Sequence, residues 1–443
     1  MHPELQYERR QLPDGDNALP LLLEASAVMV DADLDDDVLL EALGTVVEEE
    51  ASYPGGDAAR ALDAHLTANE RALGLLDGAL ARRALQVPEH WIRRDWDSFT
   101  KLVKTARLAG VRLARAKQSA AQGKLEDSSA DLVLLAKYGE MIVESKAYLV
   151  LVYIGDQCRR MARNGARWFA GVRDAPPGLI AKLLEATPPV RERRFLADLL
   201  PMEWSRYVLP SILRVPADAD LERLAGHFSG AESPLDEHRK TFVTGFVELL
   251  RGHPLPFDPS QTIKEGERLY LELREYLSGP WKSGDFDAGE IEEVQKLWPE
   301  ELLPDAASPD STCWNPLAPP DPERLATARE ALLRIENPAG KLLIGEILKF
   351  LYREEHFERE ADREATRAIL ALRLYHARRG AYPETLSDLV TEGILPSVPI
   401  DPFTDCPLGW SRDRLAVWTV GPDGKGIDED GNELVWRVPA LRR

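Results

Sequence analysis

From about Asn17 to Ala381 the order of apolar and polar residues reads for the most part as helix after helix. Asn17 is placed to cap a helix over 18–30, and Asp37 one over 38–50. Beyond the break at Pro54-Gly55-Gly56, Ala/Leu-rich text predicts long helices over 58–86, 91–122 and 129 to about 164. Pro176-Pro177, Pro188-Pro189 and Pro210 divide the middle into shorter pieces, and helical spacing returns over 237–251 and 261–277. No fixed-period self-similarity is visible, so a named helical repeat is not indicated.

The period changes towards the end. Prolines and acids crowd 277–320, which reads as an irregular crossing or linker. Asp321 and Pro322 mark the start of a helix to about Ile335, and after Asn337-Pro338 a long helix is predicted over 339–379. The runs 415–420 and 434–438 are strand-like, and the Asp-Gly pairs between them signal turns, which gives a β-hairpin with a long loop. The fold class that follows is mainly α. A multi-helix domain spans 1–278, a proline-rich acidic crossing 279–320, and 321–443 holds the long helix with a small α+β module.

Composition narrows the function classes. The 443 residues include 75 Asp+Glu against 55 Lys+Arg, a formal charge of −20, and 44% are hydrophobic. Such a chain can bury sizeable cores and is not a disordered polymer. Its negative excess opposes sequence-independent binding to nucleic acid or an anionic membrane. No apolar stretch approaches the roughly 20 residues a bilayer span needs, so no direct membrane span is expected. The opening residues are polar and lack an apolar signal core, which points to the cytoplasm. A chain whose leader or anchor had been removed would read the same and belong to the cell envelope. Cys158, Cys313 and Cys406 are far apart and form no C-x-x-C pair, so neither a disulfide framework nor a thiolate zinc site is indicated.

The charges are unevenly placed. Between Gln11 and Asp57 there are 13 acids and no Lys or Arg. Bases then dominate 91–124, where Arg93, Arg94, Lys101, Lys104, Arg107, Arg112 and Arg115 fall in an arc of about 140° of a helix. This face suits either phosphate or nucleic acid, or the adjacent acidic helices; the overall acidity favours the second. The run Asp31–Asp37 resembles a calcium loop, but it lacks the turn glycine and closing Glu and fits a helix N-terminus better.

Catalytic signatures are missing: no G-x-S-x-G, H-E-x-x-H, phosphate-binding G-x-x-x-x-G-K-[ST] or G-x-G-x-x-G after a strand is present. The cluster Glu354, Glu355, His356 and Glu358 could be half of a carboxylate-bridged metal site. Such a site needs a second Glu-x-x-His helix, and a solvated helix face is the simpler reading. The pairs Asp236/Glu237 and Glu292/Glu293 are candidate acids or bases only in the sense that any acids are.

One segment carries a family pattern. Ala371-Leu-Arg-Leu-Tyr375, Gly380-Ala-Tyr-Pro383, Leu386, Leu389-Val390 and Gly393-Ile-Leu-Pro396 precede Pro399-Ile-Asp-Pro-Phe403. Val417-Trp-Thr-Val-Gly-Pro-Asp-Gly424 and Asp428-Glu-Asp430 follow. In order and spacing this region, about 75 residues, resembles the globular domain of the major pseudopilins of type II secretion systems. The resemblance implies a calcium-binding loop, with Asp423, Asp428 and Asp430 as side-chain ligands to Ca2+ and backbone carbonyls completing the shell. Clustered carboxylates with intervening glycines suit that hard cation, although Asp-Gly pairs also build ordinary hairpin turns. The sequence departs from the family where a membrane helix would begin. Here that helix starts in mid-chain and carries Glu346, Lys349, Arg353, Glu354 and Glu355, which a bilayer would reject. The opening Tyr7-Glu-Arg-Arg-x-Leu-Pro13 with Asn17-Ala18 also resembles large bacterial envelope proteins that end in such a module.

These observations lead to an expected non-enzymatic envelope scaffold with protein partners and a calcium-stabilised C-terminal module. The rival expectations are a hydrolase-like enzyme using carboxylates in a cleft of the helical domain, and a cytoplasmic helical adaptor.

Overall fold

The computed structural model describes residues 12–32, 36–47, 51–88, 96–145, 149–189, 192–214, 257–281, 289, 291, 293–294, 326–327, 330–345, 353–422 and 434–441. The predicted helix 237–251 and most of the crossing 279–320 lie outside them. The described chain is predominantly helical, with one small antiparallel sheet near the C-terminus.

The helices begin with α1 (Leu19–Val28), α2 (Asp37–Val47), α3 (Gly56–Ala68) and α4 (Glu70–Leu80). Next come α5 (Trp96–Lys104), α6 (Arg107–Ala121), α7 (Leu125–Glu144), α8 (Leu149–Ala170) and α9 (Pro177–Glu185). Then follow α10 (Glu192–Glu203), α11 (Leu209–Arg214), α12 (Pro259–Ser278), α13 (Pro338–Gly345), α14 (Arg353–Arg379) and α15 (Ser387–Thr391). The sheet holds β1 (Gly409–Ser411), β2 (Ala416–Trp418) and β3 (Val435–Arg437) in the order β1-β2-β3. Val417 stands opposite both Trp410 and Trp436 in the antiparallel register. The hairpin expected from the two strand-like runs is therefore present as β2 and β3.

Local sequence explains the helix ends. Asn17 Oδ1 accepts from Leu19 N at 3.1 Å and from Gln86 N at 2.9 Å, so one side chain starts α1 and fastens it to the end of the α4 segment. Asp36, not Asp37, caps α2, accepting from Leu39 N at 2.9 Å. The stretch 58–86, expected as one helix, bends at Asn69, which is fully buried. The Asn69 side chain accepts from Val30 N and donates to Val30 O, both at 3.0 Å, completing the backbone pairing of the chain that leaves α1. The stretches 91–122 and 129–164 are likewise split, the first at Thr105-Ala106.

The contacts divide the chain into two compact units. One takes in residues 194–279 and 284–353. Its core packs Trp204 against Tyr270 of α12, ring centroids 5.0 Å apart, with Gly266 admitting the indole. Asp258 caps α12 through Ser260 N and Gln261 N. Asn337 accepts from Asp258 N and donates to Thr262 Oγ1, both at 2.9 Å, and so fixes the start of α13.

The other unit takes in residues 10–193, 280–283 and 354–443. Its centre is an antiparallel pair, α7 and α8. Gly139 and Gly155 face each other there and let the two backbones approach closely. Helix α14 belongs to the same core: Ala361, Ala365, Ala368, Ile369, Leu370, Ala371 and Leu372 are all fully buried.

Candidate functional site

Two places in this unit concentrate chemistry. The first is the C-terminal module. Gly380, with φ 74°, ends α14 in the left-handed conformation that glycine adopts without strain, and its N–H bonds His376 O. After α15 the chain reaches Asp401, which is 2% exposed. The Asp401 carboxylate accepts from Phe403 N at 2.9 Å, from the Thr419 hydroxyl and from Val420 N at 3.0 Å. Its backbone N–H donates to Cys406 O at 2.7 Å. The aspartate of the Pro-x-Asp-Pro-aromatic segment thus joins its own turn to the end of β2. Phe403 packs with Phe357 of α14 and Trp281 at centroid distances of 5.5 and 5.1 Å. Trp281 Nε1 donates to Pro422 O, and Thr419 N donates to Leu434 O. Both stems of the acidic loop are therefore fixed. Asp423, Asp428 and Asp430, the expected calcium ligands, lie outside the described residues; no group of three or more His, Cys, Asp or Glu arranged for a metal occurs among the described ones.

The second place is a lattice of buried ion pairs between α7, α8 and α14. Arg159, Arg163 and Arg167 recur every four residues on α8, and Arg359, Arg363 and Arg367 do so on α14. Arg163 and Arg167 both bond Asp362, the Arg167 contact at 2.7 Å, and the Trp436 indole adds a third bond to that carboxylate at 3.0 Å. Burial alone would push the Asp362 carboxyl up, but Arg167 and Arg163 outweigh it and hold it well below the usual carboxylate range. Glu140 of α7 accepts from Arg159 and, at 3.4 Å, from Arg363. Arg359 meets Asp156 at 3.0 Å, and Arg373 donates to Ala170 O at 2.7 Å and to the Tyr382 hydroxyl at 2.9 Å. Glu364 goes the other way: burial raises its pKa, with Arg367 and Arg363 opposing.

This lattice was not anticipated. Charged residues at helical spacing read as solvated faces, and the signal that betrays them is the matched four-residue rhythm of arginines on two distant segments. His356 corrects the expected solvated face most directly. It is 3% exposed, with its ring 6.4 Å from Tyr153. The expected basic face over 91–124 is also reorganised, because the helix breaks at Thr105. Lys104 and Arg107 pair with Asp31 of the acidic N-terminal stretch at 2.7 and 2.9 Å. The shift on Asp31 is a balance of burial, which raises it, against those two cations, which win and lower it. Arg112 and Arg115 instead meet on Asp131 at 3.0 and 2.8 Å. Cys158 and Cys406 are free thiols, and burial pushes Cys158 up to about 12. Among the described residues no helix is long and apolar enough to cross a membrane.

Compared with family models, curated proteins and solved structures, the chain matches none of them.

Proposed function

We propose that this protein is a non-enzymatic scaffold or interaction protein of the bacterial envelope whose C-terminal region works as a pseudopilin-like module stiffened by calcium. The observation that carries the reading is the Asp401 node. It joins the Pro399–Phe403 turn to the strand that runs into the acidic loop, so any rigidity gained in the loop passes to the sheet and, through Phe403 and Phe357, to the buried helix α14. Between Pro422 and Leu434 the sequence offers Asp423, Asp428, Glu429, Asp430 and Glu433 against Lys425 alone. That all-oxygen, strongly acidic donor set is the chemistry calcium takes. Asp423, Asp428 and Asp430 would hold the ion, whose charge would offset their mutual repulsion.

A thermal melt in millimolar calcium against a chelator tests the reading. Calcium should raise the melting temperature, and Asp423→Ala should abolish that rise. An unchanged melt in calcium removes the metal from the proposal. Fractionation of the native host provides the second arm: recovery of the chain in the cytosol overturns the envelope assignment.

A further inference from the structure

Helix α12 ends at Ser278, and Trp281, soon after it, belongs to the unit that holds α14. Between residues 194 and 353 only Pro280–Ser283 belong to that unit, a short excursion of the chain. The Trp281 ring lies 4.8 Å from Phe357 and 5.1 Å from Phe403, edge-on to the second. Its Nε1 donates to Pro422 O at 2.9 Å. Aromatic pairs at such separations attract beyond the area they bury, and an indole N–H in such a place needs an acceptor.

The walls of this socket are held by bonds of their own. Phe403 N donates to Asp401 at 2.9 Å, the Trp436 indole donates to Asp362 at 3.0 Å, and Phe357 and Ala361 stand on the buried helix α14. Gly421 N donates to Thr419 Oγ1 at 3.4 Å, just ahead of Pro422. Val420, Leu434 and Trp436 pack against the same cluster of Phe357, Ala361 and Phe403. The insert is built differently. Trp281 is half-buried and Pro280 is exposed. Gly279 is extended, with φ −78° and ψ 170°, as the residue before a proline prefers. Pro280 has a fixed φ and no N–H to satisfy. One large anchor on a stiff, extended stem, entering a pre-organised aromatic pocket, is how peptide ligands are commonly bound.

We propose that this socket is a docking site for a tryptophan carried on an extended segment, and that Gly279-Pro280-Trp281 fills it in cis as a releasable strap. Because the strap is part of the same chain, its effective concentration is on the order of millimolar, and weaker ligands stay out. When Trp281 leaves, the socket and the Pro422 carbonyl take a partner's tryptophan in its place. The strap goes beyond the scaffold reading and stands or falls without calcium.

The test uses a blocked peptide of residues 277–285 carrying fluorotryptophan at position 281, followed by fluorine NMR as the full chain is added. Trp281→Ala empties the socket and should bind the peptide saturably, one to one. The wild type should bind it about tenfold or more weakly, because its own strap competes. Trp281→Phe keeps a ring in the socket and drops only the bond to Pro422 O. It should admit the peptide about threefold to tenfold more readily than the wild type, the margin of one neutral hydrogen bond. A peptide with alanine at that position should bind none of the three chains. No saturable binding to Trp281→Ala, or equal binding to it and to the wild type, overturns the socket. Loss of helical circular dichroism in Trp281→Ala overturns the strap, since a releasable segment must leave the unit folded when it goes.

Discussion

Asp362 Oδ1 accepts a hydrogen bond from Arg167 Nη1 at 2.7 Å across a separation of 195 residues. The pair welds α14 to α8 inside the core. A buried ion pair is weak evidence of net stabilisation, since desolvating both charges costs about what their attraction returns. Removing one partner is different, because the other is left charged in a dry place. Asp362→Asn strands Arg163 and Arg167, and should cost roughly 3–5 kcal/mol in chemical denaturation.

The same carboxylate makes a pH prediction. Its folded-state pKa is depressed, so its contribution is present above the unfolded value of about 4 and is lost as the pH falls below that value. Unfolding free energy measured from neutral pH downward should decline more steeply at acid pH in the wild type than in Asp362→Asn. Parallel curves would show that the pair has no role in acid sensitivity.

A contrast between two helical glycines isolates packing from propensity. A Cβ at Gly139 would lie 2.8 Å from Arg159 N and 2.9 Å from Gly155 O, backbone atoms that cannot swing aside. Gly139→Ala should therefore destabilise by about 1–3 kcal/mol, the usual cost of overpacking, despite the better helix propensity of alanine. Gly110, inside α6, has nothing within 4 Å of its would-be Cβ. Gly110→Ala should stabilise by about 0.5–1 kcal/mol. Urea melts that gave both variants the same sign would refute the close approach of α7 and α8.

Much of this fold is legible in the order of residues, and what is not has definite causes. Helical period and the two strand-like runs are local properties, so α1, α2, α12 and the β2-β3 hairpin follow from them. The bend at Asn69 does not, because Val30, 39 residues away, supplies the partner that makes a buried asparagine acceptable. Strand β1 is three residues long and is defined by pairing with β2, not by any alternation of its own. The arginines of α8 and α14 are the hardest case. Arg159, Arg163, Arg167, Arg359 and Arg363 look solvated until another helix supplies Asp362, Glu140 or Asp156, and which distant segments share a core is not written in their periodicity.

Asp401 makes a prediction about local order. Asp401→Ala leaves the N–H groups of Phe403 and Val420 without their acceptor in a buried setting, at about 1–3 kcal/mol each. Amide exchange at Val420 and Phe403 should accelerate sharply, while α7 and α8 keep their protection. Uniform acceleration throughout the unit would instead mean that the turn is part of the global cooperative core.

The depth of α14 in the core distinguishes an integral helix from the stem of an appended module. Ala361, Ala365, Ala368, Ile369 and Leu372 are all fully buried, and Arg163, Arg167 and Glu140 find partners on this helix. A chain ending at residue 352 would expose the apolar faces that meet them and take the Asp362 counter-charge from Arg163 and Arg167, while Glu140 keeps Arg159. It should lose amide protection over 125–170 by orders of magnitude and bind a hydrophobic dye. A chain ending at Arg379 keeps the helix and these pairs while losing Phe403 and Trp436. That version should retain protection over 125–170 and melt at a lower temperature. If the shorter chain protected 125–170 as well as the longer one, α14 would be an attachment to the core and the ion-pair lattice would be dispensable for folding.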